Sequence, residues 1–104
     1  HHLARSKCSD TFCPLGPIIV TDFDIKNKKL ANKINGKIFQ DSNTRNMILN
    51  NKEIVSLVSS FMTLLPGDII LTGTPANAEN SIIESGDTVK VSIQGLGELV
   101  NKVI

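Results

Sequence analysis

The sequence has no tryptophan and no tyrosine, and four phenylalanines in 104 residues. With so few rings and a net charge of +1, it has neither the stacking platform nor the basic footprint of a nucleic-acid-binding protein. The same near-neutral balance gives no pull toward an anionic membrane. No apolar stretch approaches the ~20 residues needed to span one. Cysteine is scarce as well. Cys8 and Cys13 are too few for a disulfide framework, and no signal-like apolar run precedes them. A reducing, cytoplasmic setting is the expectation. No second Cys or His pair completes a tetrahedral zinc site, so the two thiols read as small, partly buried side chains. The histidines are His1 and His2, which resemble the remnant of an expression tag and are assigned no chemistry.

What remains is an ordinary soluble composition, 40% hydrophobic and 20% charged, in one domain's worth of chain. It is organised around Leu64 to Pro75, LLPGDIILTGTP. Pro66 stops the helical pattern behind it, Gly67 relieves the turn, and Asp68 is placed to bond its own backbone. Ile69, Ile70 and Leu71 form a short apolar run suited to a sheet core. Thr72, Gly73 and Thr74 follow at its end, where glycine lets backbone amides approach a ligand and hydroxyls can bond it. Taken alone, the segment reads more readily as a strand-end turn capped by two threonines.

The opening block, Lys7 to Pro17 (KCSDTFCPLGP), packs a cation, a carboxylate, hydroxyls and thiols into a loop punctuated by Pro and Gly. Lys7 could bind a carboxylate or stabilise an enolate oxygen, and Thr11 could reach the same site. Against this, Lys7 and Asp10 also fit a solvated loop pair. Pro17 to Thr21 is a short β-rich run, and Asp22 to Lys29 reads as a solvated, lysine-rich connection. Asn35-Gly36, between Leu30–Ile34 and Lys37–Gln40, is a strong hairpin signal, because both residues tolerate the positive φ of a type I′ turn. Gln40 to Thr44 then leaves as a polar loop, either one wall of a polar pocket or a loop that satisfies itself. Asn50 fits as N-cap of a helix with Glu53 at N3. Ile54, Leu57, Val58, Phe61 and Leu65 recur at helical spacing, which predicts core packing against a sheet and an end near Met62 or Thr63. After a polar connection, Gly86-Asp87 restarts a strand, and Thr88 to Ile93 alternates polar and apolar. Gln94 to Gly97 turns, and Glu98 to Ile104 returns. The expected architecture is mainly β with one α-helix packed on an antiparallel sheet.

Five motifs in this order carry a resemblance: KCSDTFCPLGP, ING followed by QDSNT, the helix, FMTLLPGDIILTGTP, and GDTVKVSIQGLGELVNKV. From about Lys7 to Val103 the chain resembles the C-terminal half of the catalytic domain in the fumarylacetoacetate hydrolase family, and within it the 2-hydroxyhepta-2,4-diene-1,7-dioate isomerase and acylpyruvase types. The resemblance implies a mixed β-roll (or β-barrel), here part of a domain spanning 1–104, in a homodimer. It implies a Mg²⁺, Mn²⁺ or Ca²⁺ ion and a 2-oxo or 2,4-dioxo acid substrate that reacts through an enolate. By the same resemblance, Lys7 supports the oxyanion, Thr11 helps hold the metal shell, and Gly73 and Thr74 bind the substrate carboxylate. The family's Glu-x-Glu and Asp metal ligands lie upstream of the lysine block and have no counterpart here. Asn77 and Ser42 stand where the family commonly has glycine, and Ser9 where a bulkier side chain is usual.

Two functions follow as expectations. One is a portion of a 2-oxo acid hydrolase, lyase or isomerase, completed by a homodimer or by a partner chain carrying the N-terminal half. The other is a non-catalytic remnant or scaffold half lacking the metal carboxylates. In either case the sheet should show an apolar face and open edges that favour pairing.

Overall fold

The computed structural model describes residues 7–104; the expected tag at His1 and His2 lies outside the described residues. Four strands, β1 (Lys29–Ile34), β2 (Lys37–Asn43), β3 (Thr88–Ile93) and β4 (Gly97–Lys102), form an antiparallel sheet in the order β2-β1-β3-β4. A helix, α1 (Asn51–Ser59), and 3-10 turns at Thr44–Asn46 and Ala78–Asn80 lie between the two hairpins in sequence. The expected mainly-β class with one α-helix is therefore what the described residues show.

The β1–β2 hairpin turns on Asn35 (φ 50°) and Gly36 (φ 81°), both left-handed as a type I′ turn requires. Asn35 does more than turn the chain. Its N–H donates to the Thr88 carbonyl at 2.9 Å, and its Oδ1 accepts from the Thr88 N–H at 2.9 Å. Its Nδ2 donates to Asp87 Oδ1 at 2.7 Å, across 52 residues of sequence. Asp87 in turn accepts the Glu84 N–H on Oδ2 at 2.8 Å, and its carbonyl accepts from Val103. The tip of one hairpin is thus bolted to the root of the other.

Asp87 also closes a turn that occurs twice. In Leu65-Pro66-Gly67-Asp68 and in Glu84-Ser85-Gly86-Asp87, glycine takes φ near +95° in third place (96° and 94°). In both, the Asp N–H donates to the first carbonyl, and Asp Oδ2 accepts from the first N–H. The expected self-bonding of Asp68 is this arrangement.

Register places Leu30, Asn32 and Ile34 opposite Ile93, Val91 and Val89, with Leu99 opposite Val91, so these share one face. Lys33, Lys90 and Glu98 lie on the other, where Lys90 Nζ meets Glu98 Oε2 at 2.8 Å. The apolar face is thinly covered: Ile34 is the one buried hydrophobic residue among those described, and Val91 remains 42% exposed. The clean wet–dry alternation expected of β3 is therefore not realised.

Several expectations are corrected, because the apolar segments concerned meet no packing surface among the described residues. Ile69 to Leu71 forms no strand and leaves Ile69 and Leu71 exposed; Pro17 to Thr21 likewise pairs with nothing, with Ile19 95% exposed. The capping box of α1 is present in full, with the Glu53 N–H on Asn50 Oδ1 and the Asn50 N–H on Glu53 Oε2. The helix nonetheless ends at Ser59, buries no residue, and holds Leu57, Phe61 and Leu65 out to solvent. Cys8 and Cys13 are exposed free thiols rather than partly buried.

Asp87 has its carboxyl held below the usual carboxylate range by the Glu84 N–H first and the Asn35 amide second. A carboxyl so depressed adds stability that is present above its unfolded value of 3.8 and is lost as pH falls through the lower folded value. Asn35→Ala should cost about 1–3 kcal/mol of stability at neutral pH in urea unfolding. It should also flatten the acid limb below roughly pH 4, because one of the two bonds to Asp87 is gone. An unchanged midpoint would mean the cross-link is idle.

Candidate functional site

The polar residues at the end of β2 are not a loop, because the strand runs on to Asn43. A bulge explains why its side chains face as they do. Asn32 pairs with Gln40 and Lys33 with Ile38, so Phe39 has no opposite number. Bulges re-aim side chains beside functional sites. Here the extra residue keeps Gln40 on the apolar face, directly across from Asn32.

Gln40 is 6% exposed and fully engaged. Its Nε2 donates to Thr74 Oγ1 at 3.0 Å, to the Pro75 carbonyl at 2.9 Å and to the Ala76 carbonyl at 3.1 Å. Its Oε1 accepts from Asn32 Nδ2 at 3.3 Å. Asn32 Oδ1, by contrast, is buried with no partner among the described residues. The Gly-Thr-Pro turn, although without strand pairing of its own, is thus clamped to the sheet by one side-chain amide. The next turn of chain is pinned in a similar way by buried Thr44, whose hydroxyl accepts from the Lys28 N–H and donates to the Ile25 carbonyl.

The expected site residues fall into two groups. Gly73 (φ 97°) and Thr74 lie together on the clamped turn, both exposed, with nothing within 4 Å of where a Gly73 Cβ would stand. Lys7 and Thr11 are exposed in the opening block, and among the described residues no hydrogen bond joins them to Thr74. Thr11 has φ 67°, in third place of a turn closed by the Phe12 N–H on the Ser9 carbonyl. A β-branched residue there is strained by about 1–3 kcal/mol, a feature that tends to gather at functional sites. Ser42, one of the departures from the family pattern, accepts a bond from Asn46 at 3.2 Å. Asn77, another, has φ 70° and ψ 20°. A left-handed backbone explains why glycine is usual there and why asparagine is an acceptable substitute. Gln40 enters the sequence reading only as the first residue of a polar segment able to wall a pocket, and Asn32 not at all. The one signal available was an amide at an apolar-face position of a strand.

The family model described as fumarylacetoacetate (FAA) hydrolase C-terminal matches residues 1–104. The chain belongs to the fumarylacetoacetate hydrolase family. Among the family's solved structures, a 2-hydroxyhepta-2,4-diene-1,7-dioate isomerase from Mycobacterium marinum is 50% identical with a TM-score of 0.91, covering 96% of this chain and 39% of that one. A mitochondrial oxaloacetate tautomerase of Bos taurus is 43% identical over 106 residues, 94% of this chain and 34% of its own length. A maleylpyruvate hydrolase from Sphingobium, solved with manganese(II) and pyruvate, is 36% identical with a TM-score of 0.84, covering 91% and 36%. The chain thus spans little more than a third of the length of these relatives, which are enzymes.

The described residues do not by themselves fit a divalent cation. No three His, Cys, Asp or Glu side chains come together among them. A hard dication wants several anionic oxygens, whereas Lys7 and Thr11 bring an ammonium and a neutral hydroxyl. No helix among the described residues is long and apolar enough to cross a membrane.

The Asn77 backbone gives a direct check. Asn77→Gly should be near neutral in thermal melting, and Asn77→Val should lose about 1–3 kcal/mol. Equal melting of the two variants would show that the left-handed geometry is not held in solution.

Proposed function

We propose that this chain supplies the carboxylate-gripping portion of an enzyme acting on small 2-oxo or 2,4-dioxo acids. The observation that carries the reading is the clamped Gly73-Thr74 turn. It offers an open backbone at Gly73 beside the exposed residue Thr74, whose hydroxyl is fixed to the sheet through Gln40. Lys7 is the second element of the reading, an ammonium to stabilise negative charge on the substrate's oxo oxygen. The strained Thr11 close by in sequence supports a built site there. The pyruvate complex of the Sphingobium relative supports the substrate class. Whether the outcome is hydrolysis, decarboxylation or isomerisation depends on groups beyond these, as does any bound cation, whose anionic ligands would come from residues other than those described.

The same reading includes a partner. The accessible surface is 8627 Å², against about 5,700 Å² for a compact monomer of 11.3 kDa. The excess, roughly 2,900 Å², is larger than one side of a standard interface. It includes the Leu57, Phe61 and Leu65 stripe, with Ile69 and Leu71 following in sequence. We assign this face to polypeptide equivalent to the remaining part of the relatives' catalytic domain, or to a second copy of the chain where that part is absent.

Two measurements test the proposal. Pyruvate titrated into the isotopically labelled chain should shift the Gly73 and Thr74 amides, and Lys7→Ala should weaken that binding several-fold, on the order of one charge-assisted hydrogen bond. Shifts confined to other residues would sink the carboxylate reading. Sedimentation of the purified chain should show dimers or larger species, and a clean monomer at high concentration would remove the case for a covered face.

A further inference from the structure

Gln40 donates both of its amide protons toward the turn, and this has a chemical consequence for Thr74. A threonine hydroxyl carries one proton and two lone pairs, and its proton rotates to suit its neighbours. With an N–H of Gln40 donating into Oγ1 at 3.0 Å, Thr74 cannot place its own proton on Gln40. That proton is left for the solvent side, where Thr74 is exposed. The Pro75 and Ala76 carbonyls, whose negative ends would repel an anion, share the other proton of the same amide. Building on the carboxylate reading above, we infer that Gln40 is a positioning residue that fixes Thr74 as a hydroxyl donor toward the substrate carboxylate, and that Asn32 holds Gln40 in the required orientation.

The role of Asn32 follows from proton counting. Both Gln40 protons are needed among three acceptors on the turn, so its Oε1 must face the sheet and requires a donor there. Asn32 Nδ2 provides it at 3.3 Å. Its own Oδ1 is left buried and unpartnered. An unsatisfied buried acceptor is costly and is usually avoided by reversing the amide. Reversal of Asn32 would set two carbonyl oxygens against each other and favour reversal of Gln40 too. That would turn the Gln40 carbonyl onto the Thr74 hydroxyl and the two turn carbonyls. The orphan oxygen of Asn32 is the counterpart of the donor set that Gln40 presents to the turn.

The test is a pyruvate titration of the chain, read from the Gly73 and Thr74 amide signals, on the wild type, Thr74→Ala, Thr74→Ser, Gln40→Met and the Thr74→Ala/Gln40→Met double variant. Thr74→Ala and Gln40→Met should each weaken binding roughly tenfold, the effect of one hydrogen bond to a charged group. Thr74→Ser should retain binding, and the double variant should bind no worse than Thr74→Ala, because Gln40 acts through the hydroxyl. If pyruvate does not bind, or if Thr74→Ala binds as the wild type does, the carboxylate reading itself is wrong and this inference goes with it. If Thr74→Ala weakens binding while Gln40→Met does not, or the two losses multiply in the double variant, the positioning role alone is overturned. A measurement on the wild type stands even where Gln40→Met fails to fold. The Gln40 side-chain amide protons should exchange slowly, and the Thr74 hydroxyl proton should become protected at saturating pyruvate. Rapid exchange of the former, or no response of the latter, refutes the assignment.

Discussion

The pairing of β1 with β3 is the constraint on which the rest of this structure depends. Each hairpin is local and closes on a short turn, but a lone two-stranded hairpin is marginal in water. Joining them requires closing the long connection that holds α1 and the Gly-Thr-Pro turn, at an entropic cost that must be met by contacts across the seam. The ladder from Leu30–Ile93 to Ile34–Val89 supplies the regular part. Asn35 supplies the rest, binding Thr88 through main chain and side chain and Asp87 through its amide. The seam sets the β1–β2 hairpin, where Asn32 faces Gln40, into a four-stranded sheet, and the turn at Thr74 has an anchor there.

Local chemistry was legible in the sequence. Asn35-Gly36, the Asn50–Glu53 capping box and the Pro-Gly-Asp turn each depend on a few neighbouring residues, and each formed as their side-chain chemistry dictates. The four strands were legible too, although β2 extends through residues that read as a polar loop. Polar composition hid the strand because Gln40 and Ser42 lie on a face where apolar residues are expected; Gln40 is there to bond the turn rather than to fill space. Failures clustered where an apolar pattern needs a surface to meet. The stripe on α1, the run at Ile69 to Leu71 and the run at Ile18 to Val20 all signal burial, and in this chain none is buried. The patterns describe packing against an apolar surface, and these segments meet none among the described residues.

The site divides along the same line. Sequence resemblance pointed to Lys7, Thr11, Gly73 and Thr74, and the structure brings the last two together on one clamped turn. The QDSNT motif begins at Gln40 but does not single it out, because what distinguishes that residue is a bulge at Phe39, a feature set by pairing register. Asn77 runs the other way. It stands as a departure from the family's glycine, and its backbone shows a left-handed demand met by another residue type.

The Asn35-Gly36 tip has one more implication, for how this protein ages. Asn-Gly is the dipeptide most prone to spontaneous deamidation, because the unhindered glycine nitrogen can attack the asparagine side-chain carbonyl and close a succinimide. That ring needs the side chain free to swing its carbonyl carbon onto the glycine nitrogen. Here the carbonyl oxygen is held by the Thr88 N–H and the nitrogen by Asp87, so folding itself shields the bond. Damage would be confined to molecules whose β1–β3 seam has opened. In those, hydrolysis would leave a carboxylate facing Asp87 where an amide had been, or lengthen the backbone through isoaspartate. Either lesion would hinder the seam from closing again, so a transient opening could be recorded as a permanent chemical mark.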